Sequence, residues 1–255
     1  MESIAIRIAP AALWLAVLWW WESRGEPRPM AGPDRYRHGA RNLSLAGMNA
    51  LLLFLTLGSA SVAVAAASPV DVPPRWGWVH ASACFVTLDA FSYFWHRLNH
   101  AVPWLWRLHA VHHTDEAMDV TTAARFHVGE LALAAVLRMP LLFVLGVSPG
   151  VLVAYETTLT LSSMFHHSRI RLGRWDRVVA WFVASPRMHS VHHSRDPRHF
   201  HSNYASILSI WDRIFGSFND FAGVVDHGLD GADGLSTPQL LRYPMRRSVG
   251  VDDGR

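Results

Sequence analysis

Five stretches of the chain are apolar for long enough to form membrane-spanning or deeply buried helices, and polar segments separate them. The first, residues 4–21, reads "IAIRIAPAALWLAVLWWW". Its length is close to the roughly 20 residues a spanning helix needs, and three closing tryptophans suit a membrane interface. No small-residue cleavage site follows, which favours an anchor over a cleaved signal peptide. The second block covers about 44–67 and is followed by the weakly charged "SPVDVPPR"; the third runs from Trp76 to Trp95. Two more, 128–147 and 151–165, flank the breaker "SPG" at 148–150 and predict a helical hairpin.

Between the first two blocks, residues 22–41 are rich in proline and glycine and carry five arginines, a pattern read as a basic loop. Basic residues near segment ends stay in the cytoplasm. Counting crossings from that loop returns the chain to the cytoplasm near His96 and again at His166, and arginines follow both positions. The expected fold class is therefore all-α, an integral membrane helical bundle with a cytoplasmic helical cap. The expected division is 1–75, transmembrane helices and the basic loop; 76–221, the chemistry-bearing domain; and 222–255, a polar tail of irregular structure. The location this implies is a bacterial inner membrane.

Composition narrows the chemistry. Of 255 residues, 51% are hydrophobic and only 17% charged, too few charges for an ordinary soluble domain. All 23 basic residues are arginine, and they sit between apolar blocks instead of forming one face, so nucleic acid is not an expected partner. A single cysteine, Cys84, rules out a disulfide within the chain and any cysteine-rich metal site. Any metal must be held by nitrogen and oxygen.

The nitrogen is concentrated. Of 16 histidines, 13 lie between positions 96 and 201. His96 and His100 are four apart; His109, His112 and His113 form "HxxHH", and His189, His192 and His193 repeat it. On a helix these offsets place side chains on one face about 5–6 Å apart, close enough to converge on an ion. His166 and His167 add a pair. Imidazole suits iron, zinc, copper or nickel, and eight or more candidate ligands exceed what one catalytic or structural zinc site uses, so two metals are expected. Zinc hydrolysis normally needs a carboxylate base as in "HExxH", which is absent. A pair of irons would instead activate dioxygen, and a site at the membrane interface gives lipid chains access to it. The competing reading is a non-oxidative zinc enzyme or a metal carrier.

The stretches "DAFSYFWHRLNH", "LWRLHAVHHTDEAMDVTTAARFHVGE", "FHHSRIRL", "RMHSVHHSRDPRHFHSNYASILSIWDRIFGSF" and "HGLDG" resemble the fatty acid hydroxylase/sterol desaturase superfamily of membrane non-haem di-iron oxygenases, over roughly 85–245. The resemblance implies two iron ions, for which zinc can substitute on purification, and dioxygen as co-substrate. It implies His96, His100, His109, His112, His113, His189, His192 and His193 as ligands, with His166 and His167 competing for a further place. No catalytic group beyond these ligands is implied. The implied activity is hydroxylation or desaturation of a fatty acyl, sterol or related lipid, with electrons from an external ferredoxin or cytochrome b5 type protein. Val128 follows His127 where relatives often have proline, and Arg169 departs from the usual "HSN".

Supporting residues are expected around the ligands. Asp89, two helical turns before His96, either orients a ligand imidazole or is satisfied by a neighbouring helix. Glu130 and His127 are candidates for similar support, and Asp212 either supports a ligand or fixes a turn. Asp115 and Glu116 are read as solvated charges, and His38, His80 and His227 as loop or interface residues.

Overall fold

A computed structural model describes residues 2–25, 32–57, 60–220, 223, 225–232 and 234–246. The architecture is all-helical. Among the described residues no β-strand is present, and two isolated bridges, Val183 with Leu208 and Ser194 with His227, only pin loops. Five long helices, α1 (Glu2–Glu22), α2 (Pro33–Leu57), α4 (Gly77–Ala101), α6 (Val128–Leu145) and α7 (Pro149–His167), form the framework, with the short α3 (Ala60–Ala66) against α6. Shorter helices carry the remaining chemistry: α5 (Pro103–His113), α8 (Trp175–Val179), α9 (Pro186–His192), α10 (Pro197–Phe200), α11 (Ile210–Ile214) and α12 (Thr237–Arg242).

Local sequence sets the breaks. Proline at the first position of α5 fixes a helical φ, while Val102 before it is extended at φ −104°, ψ 117°. The chain therefore turns sharply between α4 and α5, and the histidines on the two helices face each other. The hairpin expected around "SPG" forms as α6 and α7. Gly146 ends α6 at φ +62°, and a Cβ there would lie 2.5 Å from that of Val70, so both conformation and space call for glycine. Ser148 then caps α7. Arg138 of α6 pairs with Glu156 of α7 at 2.7 Å, a polar rung within the hairpin.

Among the described residues one helix, Val128–Leu145, is long and apolar enough to cross a membrane by length and composition. The apolar block expected at 44–67 is divided between α2 and α3, and residues 58–59 lie outside the described ones. Of the basic loop expected over 22–41, residues 26–31 lie outside the described ones, and the chain is helical from residue 33. Its Arg35, His38 and Asn42 share one inward face and find buried partners: Arg35 pairs with Glu22, and His38 and Asn42 bond to Asp115. Polarity there encodes a buried polar seam and not a solvated loop.

Of the irregular tail expected over 222–255, residues 222, 224, 233 and 247–255 lie outside the described ones, and the rest of the segment 225–246 is packed as well. Leu229, Ala232, Leu235, Leu240 and Tyr243 are buried against Leu45 of α2 and Trp106, Ala110 and Val111 of α5. Ser236 and Gln239 form the reciprocal cap of α12. This end of the chain braces α5, which carries three of the histidines.

Candidate metal centre

The ends of four helices meet in one interior. His96 and His100 lie one turn apart at the end of α4, and His109, His112 and His113 close α5. His166 and His167 end α7, His189 and His192 lie on α9, and His193 caps it. All ten are buried.

The rings sort into two groups, with one nitrogen from each ring lying within 4.8 Å of the others in its group. The first contains His96, His100, His109, His113 and His192; the second contains His112, His167, His189 and His193. Each "HxxHH" box is thus split by helical geometry. In α5 the i, i+4 pair His109 and His113 serves the first group while His112 points to the second. In α9 the roles reverse: His189 and His193 serve the second group and His192 the first. His166 falls in neither group; its ring lies 4.0 Å from that of His189.

Outer hydrogen bonds aim the rings. The Nδ1 atoms of His96, His192, His112 and His167 donate to the carbonyls of Tyr204 (2.8 Å), Ser202 (2.7 Å), Arg125 (3.2 Å) and Ser163 (2.7 Å). His109 Nδ1 donates to the Glu130 carboxylate at 2.8 Å, and Asn99 steadies the same Glu130 oxygen at 3.0 Å. A carbonyl or carboxylate only accepts, so Nδ1 carries the proton and Nε2 presents a bare lone pair inward.

Those inward lone pairs fit metal ions. The Nε2 atoms of His96, His100, His109, His113 and His192 are buried and have no hydrogen-bond partner among the described residues. An unsatisfied buried polar atom costs about 1–3 kcal/mol, so five in one place need an outside partner. In the second group His167 Nε2 lies 2.9, 3.0 and 3.2 Å from the Nε2 atoms of His112, His189 and His193, and His189 lies 3.2 Å from His193. Donors bound at about 2.0–2.1 Å around one tetrahedral ion stand roughly 3.3 Å apart, so this spacing is nearly that of a shared ion. Protonation is a poor substitute. Burial pushes the His167 imidazole down to about 4. Burial, with the neighbouring imidazoles adding to it, holds His112, His189, His192 and His193 well below the usual range. Neutral imidazoles are the form a metal takes.

The structure resolves the alternatives left open for the supporting residues. Asp89 does not reach an imidazole: its Oδ2 accepts from the Leu208 backbone and Trp211 Nε1, so it fastens α11 to α4. Seven residues keep Asp89 on the face of His96 but about 10 Å away along the α4 axis, level with Leu208 and Trp211. His127 caps α6, with Nδ1 accepting from Gly129 and Nε2 donating to the Leu241 carbonyl, and so holds the packed C-terminal segment. Asp212 takes the turn role, accepting from Tyr204 N, Ala205 N and Ser217 Oγ. It thereby positions the Tyr204 carbonyl that aims His96.

A polar network behind the second group was not anticipated. Asp115, read as solvated, is buried and accepts from His38, Asn42 and Thr122. Arg125, fully buried, donates to Asn42 Oδ1 at 2.9 Å and Thr114 Oγ1 at 2.8 Å, and its carbonyl holds His112. Burial alone would raise the Asp115 carboxyl, but the Arg125 guanidinium and His38 overcome this and hold it well below the usual carboxylate range. His38, also expected in a loop or at an interface, is pushed up to about 9: burial opposes its charge, and the hydrogen bond to Asp115 at 2.8 Å with the Asp119 carboxylate 3.4 Å away outweighs burial. The sequence signal was the four-residue spacing of His38 and Asn42 on the α2 face.

Comparison with known proteins places this geometry. Residues 81–217 match the fatty acid hydroxylase family model. Over 153 residues, 59% of this chain and 32% of its relative, the sequence is 33% identical to an alkylglycerol monooxygenase of Xenopus tropicalis. It is 28% identical to the ornithine lipid hydroxylase OlsE of Rhizobium tropici over 58% of this chain and 44% of that protein. It is 29% identical to human cholesterol 25-hydroxylase over 54% of this chain and 50% of that protein. The chain thus spans between a third and a half of these relatives, and no solved structure matches it. Since the family match covers more than half of the chain and takes in both histidine groups, the chain belongs to the fatty acid hydroxylase family.

Proposed function

We propose that this protein is a membrane-bound non-haem di-iron oxygenase that hydroxylates a C–H bond of a lipid. The observation that carries the reading is the pair of buried histidine groups: the inward Nε2 atoms of the first find no partner among the described residues, and those of the second face one another at 2.9–3.2 Å. Its relatives are named as an alkylglycerol monooxygenase, an ornithine lipid hydroxylase and a cholesterol hydroxylase. His96, His100, His109, His113 and His192 hold one iron, and His112, His167, His189 and His193 the other, with His166 beside the second. Iron held there would supply the oxidising power to activate dioxygen, with electrons from an external ferredoxin or cytochrome b5 type donor. Hydroxylation consumes the C–H bond, dioxygen, two electrons and two protons, and yields the alcohol and one water. Desaturation with the same inputs removes two hydrogens from the lipid and yields two waters.

The protein's own residues supply aim and exclusion. Glu130 and the carbonyls of Tyr204, Ser202, Arg125 and Ser163 fix the imidazole planes before any ion arrives, which lowers the reorganisation that binding requires. Trp106, Phe200 and Tyr204 crowd the His100 ring and keep water from the first group. The domain reading is 76–221 for the chemistry, flanked by the N-terminal helices and the C-terminal brace. The whole is set in a bacterial inner membrane with the histidine groups on the cytoplasmic side, a placement supported by the arginines after His96 and His166 and by the apolar α6. The test is mass spectrometry of lipid extracts from cells with wild-type protein or with the double variant His112→Ala/His192→Ala, alongside iron analysis. Gain of one oxygen in a lipid class, lost together with iron in the variant, is the expected result. Full oxidation by a folded double variant would overturn the proposal.

A further inference from the structure

A cavity of about 500 Å³ opens beside the second histidine group. His167 lines it, as do Arg169, Arg171 and Arg187, and Ser190 and His227 complete its polar wall. Three arginines and one carboxylate, Asp176, line it; Arg169 already interacts with the carboxylates of Glu22 and Asp119, and Asp176 accepts from Ser185 Oγ at 2.9 Å and the Arg187 backbone at 3.4 Å. Arg187 also pairs with Asp220 at 3.2 Å, but that carboxylate is about half exposed, and such a rim pair is held weakly enough for a ligand to exchange with it. Met118, Ile170 and Leu172 supply apolar wall between the charges.

A second cavity of about 370 Å³ shares Asp176 and Arg187 with the first and is lined by Trp181 and Phe218. Around it the surface exposes Trp175 at 59%, Trp181 at 63% and Phe182 at 68%, with the Arg174 and Arg213 guanidinium groups over the two indoles. Aromatic rings interleaved with arginine are what a protein presents to the headgroup layer of a bilayer. An arginine-lined chamber that ends on His167 thus adjoins an aromatic surface suited to an alkyl chain.

We infer that the chamber binds the anionic head, phosphate or carboxylate, of an amphiphilic substrate through Arg171 and Arg187, and that the oxidised carbon lies within a few bonds of that head. The inference rests on the oxygenase reading above and narrows its substrate class. Guanidinium groups pair bidentately with phosphate and carboxylate, and such charge-assisted bonds are about twice as strong as neutral ones. Because the same chamber touches both the arginines and His167, a head held at one end leaves only the first carbons of the chain near the other.

The test uses the full chain, as isolated with its metals, in phosphatidylcholine nanodiscs, with binding to empty discs subtracted. Dodecyl phosphate, 1-O-dodecylglycerol and inorganic phosphate are the probes. Dodecyl phosphate should bind at least about tenfold more tightly than the glycerol ether. Arg171→Gln/Arg187→Gln should remove about that tenfold advantage and leave glycerol ether binding unchanged. Arg171→Glu, at an exposed position, should weaken dodecyl phosphate alone if the double variant folds poorly. Competition by millimolar inorganic phosphate assigns recognition to the free anion as well as to a lipid head; its failure assigns recognition to lipid heads only. Equal binding of charged and neutral amphiphiles, or binding indifferent to the arginine variants, overturns the inference. Oxygen inserted far along the chain also overturns it and leaves the oxygenase reading standing. Charge-selective binding with no oxygen incorporated into any lipid overturns the oxygenase reading, and with it the placement of an oxidised carbon, and leaves the anion-binding chamber standing.

Discussion

The two histidine groups are built from the same side chain and share two helices, yet they differ in what stands behind and in front of them. The first has a carboxylate behind it, Glu130 on His109, and aromatic walls in front. The second is aimed by neutral carbonyls, with a buried Arg125–Asn42–Asp115 network beyond, and in front of it lies the arginine-lined cavity. Both acceptors orient the imidazole and raise its basicity, and the charged carboxylate does so more strongly than a neutral carbonyl. Similar ligands can therefore hold one metal tightly in a closed chamber and another where substrate arrives.

The largest effect should come from ligands that separate the groups. His192 and His193 are adjacent in sequence but serve different groups. His192→Ala should lower metal content from about two to about one per chain by emptying the first group, and His193→Ala should empty the second, both with loss of oxidation. Metal analysis combined with Mössbauer spectra of iron-57 protein should show two different surviving signals. Identical residual signals would break the comparison.

Removing Arg125 comes next. Arg125→Met takes the nearby guanidinium charge from buried Asp115 and leaves Asn42 Oδ1 and Thr114 Oγ1 without their buried donor, and each unsatisfied buried polar group costs about 1–3 kcal/mol. A melting experiment should register that loss, and the surviving folded protein should bind metal less well in the second group than in the first. Glu130→Gln probes the other side. Loss of the outer carboxylate should reduce affinity in the first group about 10–100-fold and spare the second, as read by chelator competition.

The comparison also marks what the sequence made legible. The histidines announced themselves, because helical offsets of three and four are visible in one dimension. Which group each joins was not visible, since it depends on α5 and α9 approaching from opposite sides with His112 and His192 crossing over. The hairpin was readable from "SPG", but the inward face of α2 was not, since Arg35, His38 and Asn42 look like surface until their partners Glu22 and Asp115 are known. Asp89 shows where spacing stops: it left open whether an imidazole or a neighbouring helix takes the carboxylate, and the fold gives it to Trp211 of α11 and the backbone just before it. The backbone carbonyls that aim His96, His112, His167 and His192 carry no sequence signal at all, because every residue has one.

The smallest expected effect tests whether the network behind the second group extends as far as α2. His38 bonds Asp115 at 2.8 Å, and its imidazole is pushed up to about 9 from an ordinary value of 6.5. A group raised on folding contributes stability that is fully present below about pH 6.5 and is lost as pH rises through about 9. The melting temperature of the wild type should therefore decline between about pH 7 and pH 9.5, by a loss on the order of 1–3 kcal/mol. His38→Gln keeps a hydrogen-bond donor but cannot carry the charge, so it should start less stable at pH 7 and show a flatter profile. Because Asp115 also anchors Asn42, which holds Arg125, the same alkaline range should loosen metal in the second group before the first. A wild-type profile as flat as that of the variant would confine the network to packing and detach α2 from the metal centre.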